Sequence, residues 1–107
     1  MLFDRLIGKA SPEAALRRAI ALVEKERFAD ALPLLSRAAE AGSPKAEYHI
    51  GKLYLQGGGV PYSQVEGARW LERAALHGNV QAQALLAAVL LQGLASNADE
   101  DRRDGEC

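Results

Sequence analysis

Apolar residues recur along most of this chain at the three- and four-residue spacing of an amphipathic α-helix. In the first such segment Ala15, Leu16, Ala19, Ile20 and Val23 follow that spacing, which places them on one side of a helix. The same pattern predicts five helices. They run from after Ser11 to within 24–27, from near Ala29 to near Ala41, from after Ser43 to near Gln56, from after Ser63 to Gly78, and from after Asn79 to near Gln92. No segment alternates with the period of two expected of a half-buried strand, so the predicted class is all-α.

Local start and stop signals support these helices. Ser-Pro at 11–12 and again at 43–44 combines a capping hydroxyl with a proline at the first helical position, where its missing N–H costs nothing. Ser63 and Glu66 have the spacing of a capping box, in which each residue's side chain bonds the other's backbone N–H. Gly42 follows the second helix, where a left-handed glycine would end it.

Parts of the chain repeat after 36 positions. Segment 35–57 matches segment 71–93 at Leu35/Leu71, Arg37/Arg73, Ala38/Ala74, Ala39/Ala75, Gly42/Gly78, Ala46/Ala82, Leu55/Leu91, Gln56/Gln92 and Gly57/Gly93. A period in this range is typical of stacked helical repeats, in which each unit buries its apolar face against the next. The sequence therefore predicts a tandem helix–turn–helix repeat.

The second unit has a more specific pattern. AEYHIGKLYLQGGGVP at 46–61, ARWLERAA at 68–75 and Gly78-Asn79 resemble a Sel1-like repeat, a family close to the tetratricopeptide repeats. Segment 12–42 is more weakly similar and resembles a tetratricopeptide-like unit, while 80–93 resembles the first helix of a third unit. The resemblance implies an α-α solenoid of about five helices and a role as a protein-binding adaptor or scaffold.

In the families that the chain resembles, the first helix of each unit lines the concave face. Carried over by position, this implies a protein-binding surface made of Leu16, Ile20, Val23, Tyr48, Lys52, Leu55, Ala84, Ala88 and Leu91. Only Lys52 is charged, so an amphipathic helix or an extended apolar segment is the expected partner. The same residues could instead pack against the chain's own ends, and the sequence leaves both interpretations open.

Composition limits the possible functions. The 107 residues are 49% hydrophobic and 25% charged with a formal net charge of −1, which lacks the basic surplus of nucleic-acid-binding domains. Cys107 is the one cysteine, and the two histidines belong to different helices without partners at metal-ligand spacing. We therefore expect a non-catalytic protein without cofactors or metal sites. The lack of a secretory leader or a membrane-spanning run indicates a cytoplasmic location.

The two ends differ from the repeat domain at 11–93. Segment 1–10 is short and amphipathic, with an apolar stripe of Leu2, Phe3, Leu6 and Ile7. This stripe supports an alternative function, a membrane-surface or assembly component anchored by an interfacial helix, although membrane contact through so short a segment would be weak. Segment 94–107 is acidic and has almost no residues to bury, which predicts a disordered tail.

The fifth helix is apolar on every side between Ala84 and Leu91. A helix of this kind is normally covered all round, but the sequence contains no following second helix that would cover it. Leu85, Leu86, Val89 and Leu90 are therefore predicted to form an exposed strip with Leu91. We expect self-association or partner binding through this helix, unless the chain is a fragment of a longer solenoid.

Overall fold

The computed structural model describes the backbone of residues 11–106 and the side chains of residues 11–93. Over this range the chain forms five α-helices and no strand, which confirms the all-α prediction. The helices are α1 (Pro12–Glu24), α2 (Phe28–Glu40), α3 (Pro44–Gln56), α4 (Gln64–Leu76) and α5 (Val80–Glu106). Each helix packs chiefly on its neighbours along the chain, as in a helical-repeat solenoid. The stripe predicted at Leu2, Phe3, Leu6 and Ile7 lies outside the described residues.

Side-chain caps begin four of the helices where the sequence predicts them. The Ser11, Ser43 and Ser63 hydroxyls each accept a backbone N–H three residues later, at 3.1–3.2 Å, and Asn79 Oδ1 accepts the Ala82 N–H at 2.6 Å. The capping box is only half formed. The Ser63 N–H donates to the Tyr54 carbonyl, and the Glu66 carboxylate accepts from Arg69 instead.

Left-handed residues follow the ends of the first four helices. Glycines with positive φ occupy this position after three of them, at Gly42, Gly57 and Gly78. After α1 the position belongs to Glu26, with a φ of 58°, and the Arg27 N–H closes the turn on the Leu22 carbonyl at 2.8 Å. Because a side chain in this conformation is strained, Glu26 is the exception among these helix ends.

The last helix is longer than the sequence predicts. α5 continues to Glu106, whereas the composition change after Gly93 predicts an end near Gln92. Gly93 is not among the residues with positive φ, so the backbone passes through it in a helical conformation, and the alanine and charged residues beyond it tolerate a helix. The predicted helix end is therefore wrong. The disorder of residues 94–107 in solution stays a prediction.

Two apolar clusters form the core. The first joins α1, α2 and α3, and its fully buried large side chains are Leu35 and Leu53. The second joins α4 and α5, and its fully buried large side chain is Leu71. Tyr54 and Trp70 are half-buried against the first cluster, and Tyr48 and Leu55 of α3 lie against the second. α3 thus links both clusters and holds the helix pairs in register.

α3 and α4 cross closely at a pair of glycines. A Cβ built on Gly51 would lie 3.0 Å from the Leu71 side chain and 3.1 Å from the Gly67 carbonyl oxygen. A Cβ on Gly67 would lie 2.7 Å from Leu55 Cδ2 and 3.1 Å from the Gly51 carbonyl oxygen. The crossing therefore depends on the absence of both side chains, since the neighbouring atoms include backbone that cannot turn away.

Candidate partner-binding cleft

A cleft of about 370 Å³ separates α1 from α3. It is lined by Ile20, Val23, Glu24, Glu26, Phe28, His49, Lys52, Leu53 and Gln56. Helix α1 contributes its last two turns, α3 contributes its second half, and the α1–α2 turn closes one end. This volume lies at the small end of the usual range for ligand sites, enough for a few side chains of a partner and too small for a whole domain.

The structure brings together three of the predicted binding residues around this cleft. Ile20 and Val23 of α1 form part of its apolar floor, and Lys52 of α3 lies across from them. All three are partly exposed. Their role in binding stays a prediction; the cleft brings these three predicted residues to a common space.

The other predicted concave residues lie elsewhere. Leu16 borders a separate depression beside the α2–α3 turn, while Tyr48 and Leu55 pack against the second apolar cluster. Ala84, Ala88 and Leu91 are exposed on α5. The nine residues therefore do not form one continuous apolar surface, because α3 uses two of its three predicted positions to pack against α4 and α5.

On α5 the predicted exposed strip is only partly present. Val89 is buried, and Leu85 and Leu86 are half-buried against the second cluster. Leu90 and Leu91 are exposed, with 55% and 67% of their surface accessible. The prediction is wrong for Val89 because this side chain packs into the second apolar cluster with Leu71 and Ala74 of α4. Exposed apolar surface thus remains at Leu90 and Leu91.

Sequence analysis missed the polar side of the cleft. Glu24, Glu26, His49 and Gln56 line it, so the apolar groove expected from the sequence is in fact a mixed one. The signal for His49 was present, because it stands one residue from Tyr48 and three from Lys52 on the same helix. The glutamates gave no such signal, since acidic residues at a helix end normally face solvent.

Charge is distributed unevenly along the cleft. Glu24 and Glu26 lie at the end where α1 terminates, and neither makes an ion pair with a described residue. The Lys52 ammonium lies 5.3 Å from the centroid of the Tyr48 ring, one helical turn nearer the start of α3. Burial and the charges of Lys52 and Lys45 lower the pKa of His49 to about 4, so this imidazole is neutral at pH 7.

A second polar contact connects α3 with the end of α4. His77 Nδ1 lies 2.7 Å from Glu47 Oε1, and the Glu47 side chain is only 4% exposed. Sequence analysis did not pair the two residues, because they are 30 positions apart. The contact gives a hydrogen-bond partner to a carboxylate that burial would otherwise leave unpaired.

Two further findings concern metal and membrane. Among the residues that the structure describes, no group of three or more histidine, cysteine or acidic side chains has the arrangement of a metal site. Within the same part of the chain, no helix combines the length and the apolar character that crossing a bilayer requires.

The stacked helix pairs and the cleft between successive first helices define a helical-repeat protein of the α-solenoid class. The family model described as Sel1 repeat matches residues 44–79 and 80–103, more than half of the chain. The chain therefore belongs to the Sel1 repeat family. Sel1 repeats are generally protein-interaction modules. The second match falls within α5, so this unit lacks the turn that separates α3 from α4. No curated protein and no solved structure matches the chain.

Proposed function

We propose that this protein is a non-catalytic adaptor or scaffold that binds a partner protein in the cleft between α1 and α3. The observation that carries the proposal is the cleft itself, in which Ile20, Val23 and Phe28 offer partly exposed apolar surface beside polar groups. A small apolar floor with a polar rim is the usual composition of a site that anchors one or two side chains of a partner.

Position-specific photo-cross-linking tests the location of this site. A photoreactive amino acid at Val23 lies in the cleft, whereas one at Arg69 lies on an exposed position of α4. We expect a discrete cross-linked partner from Val23 that disappears when unmodified protein is added as competitor. Cross-linking from Arg69 alone, or equally from both positions, would contradict the proposal.

Substitutions in the cleft should weaken capture without unfolding the protein. Ile20→Gln and Lys52→Glu change side chains that are partly exposed and face the cleft. Tyr48→Ala is unsuitable for this purpose, because Tyr48 also packs against the second cluster and its loss would change stability. Arg69→Glu is the matched surface control for Lys52→Glu, and we expect it to leave capture unchanged.

The exposed pair Leu90 and Leu91 supports a secondary proposal of self-association through α5. Two adjacent large apolar side chains with more than half of their surface accessible are a small patch, so the expected association is weak. Sedimentation equilibrium of the parent and of Leu90→Gln/Leu91→Gln measures it. A monomeric parent at high micromolar concentration would overturn this part of the proposal.

A further inference from the structure

The closed end of the α1–α3 cleft is electronegative. The last turns of both helices line it, through Val23 and Glu24 on one side and Leu53 and Gln56 on the other. Each helix C-terminus carries a partial negative charge of up to about half a unit from the aligned dipoles of its peptide groups. The carboxylates of Glu24 and Glu26 add two full charges at the same end.

Among the described residues, no cation makes an ion pair with Glu24 or Glu26. Lys25 stands between the two glutamates in the sequence but does not line the cleft, and Arg27 forms an ion pair with Asp30 at 2.7 Å. Lys52 holds its ammonium over the Tyr48 ring, toward the start of α3, and His49 is neutral at pH 7. The cleft is therefore negative at its closed end and positive toward the start of α3, with apolar side chains between.

Glu26 occupies its place at a conformational cost. The equivalent position after α2, α3 and α4 is a glycine, and the left-handed region disfavours a residue with a side chain relative to glycine. The carboxylate at the closed end of the cleft is thus present where the other helix ends have no side chain.

We infer that the closed end of this cleft binds an arginine or lysine side chain of the partner, held by Glu24 and Glu26, while a neighbouring apolar residue of the same segment lies on Ile20, Val23 and Phe28. The inference rests on the proposed function and names the partner's chemistry, a basic amphipathic peptide segment. The aliphatic stem of a basic residue packs along apolar surface while its charged end reaches the rim, which matches the order of groups along the cleft.

Fluorescence anisotropy with designed peptides tests the inference on the intact chain. The probe is a short labelled amphipathic peptide of leucine, alanine and arginine; its matched partners carry citrulline or glutamate in place of arginine. We expect the arginine peptide to bind about tenfold more tightly than the citrulline peptide at low salt, and to lose most of this advantage at high salt. The glutamate peptide should bind least.

Paired variants locate the effect. Glu24→Gln/Glu26→Gln should weaken binding of the arginine peptide about tenfold and leave the citrulline peptide unaffected. Glu40→Gln/Glu72→Gln removes the same charge from exposed positions on α2 and α4 and should change neither. Circular dichroism melts of both variants establish that they are folded.

The outcomes separate the inference from the proposed function. Equal binding of the arginine and citrulline peptides would overturn the inference, and so would an equal loss of arginine-peptide affinity in both double variants. Cross-linking from Val23 would still support the cleft as the binding site in either case. Tighter binding of the glutamate peptide would show that Lys52 governs selection, which also overturns it. Failure of every peptide to bind would overturn it as well, and the Val23 cross-link would then decide the proposed function independently.

Discussion

The crossing of α3 and α4 makes a quantitative prediction about glycine. In Gly67→Ala the new Cβ would lie 2.7 and 2.8 Å from two atoms of Leu55 and 3.1 Å from the Gly51 carbonyl oxygen, well inside the optimum carbon–carbon separation of about 3.5–4.0 Å. Such overpacking costs about 1–3 kcal/mol, and the contact with Leu55 Cγ as well as Cδ2 favours the upper part of that range. The higher helix propensity of alanine returns about 1 kcal/mol. We expect a net loss of about 2 kcal/mol.

Gly93→Ala is the matched control. Gly93 also lies inside a helix, but a Cβ there would meet nothing within 4 Å. Only the propensity term applies, so this variant should gain about 0.5–1 kcal/mol. Urea unfolding followed by far-UV circular dichroism measures both free energies. The prediction is that the same substitution lowers the free energy of unfolding at Gly67 and raises it at Gly93.

A double variant identifies the atoms responsible. Leu55→Ala removes the side chain that the new Cβ would strike, so Gly67→Ala should cost at least 1 kcal/mol less in that background than in the parent. The reasoning is refuted if Gly67→Ala stabilises the protein as much as Gly93→Ala does. It is also refuted if the cost of Gly67→Ala is the same with and without Leu55.

Three further predictions concern single side chains. Glu26→Gly should stabilise the chain by about 1 kcal/mol in urea unfolding, because it relieves a left-handed side chain, and an unchanged or lower stability would contradict this. In the unfolded chain a histidine binds a proton near its ordinary pKa of 6.5, whereas folded His49 stays neutral until the pH falls to about 4. Lys45, Lys52 and the cleft glutamates surround this imidazole. The free energy of unfolding should therefore fall as the pH is lowered from 6.5 to 4, by on the order of 1–2 kcal/mol after allowance for solvent screening of this partly exposed ring. His49→Gln should flatten that pH profile, and an unchanged slope would show that other groups cause it. His77→Ala should cost about 1–3 kcal/mol at pH 7 because it removes the hydrogen-bond partner of buried Glu47, and adding Glu47→Gln should recover part of the loss.

The sequence alone was enough to predict the family, the five helices and their bounds except for the end of α5. Helix starts depend on a capping side chain and a backbone N–H three residues away, as at Ser43 and Ala46, and helix ends depend on single glycines such as Gly57. Because these interactions are local, reading the chain from one residue to the next recovers them. The 36-residue repeat then indicated how helices stack, since a unit that cannot bury its own face requires a neighbour.

The tertiary structure decided which residues share a space. Gly67 opposes Gly51 and His77 reaches Glu47 only when α4 lies on α3. The glutamates at the end of α1 share a cleft with Gln56 only when α1 lies beside α3. On α5 the sequence contains no polar stripe between Ala84 and Leu91, so nothing in it shows which side turns inward, and the packing of α3 and α4 selects Val89. Periodicity shows which side of a helix is buried only when its sides differ in polarity. Contacts between distant segments depend on the angles at which helices cross, which no local pattern contains.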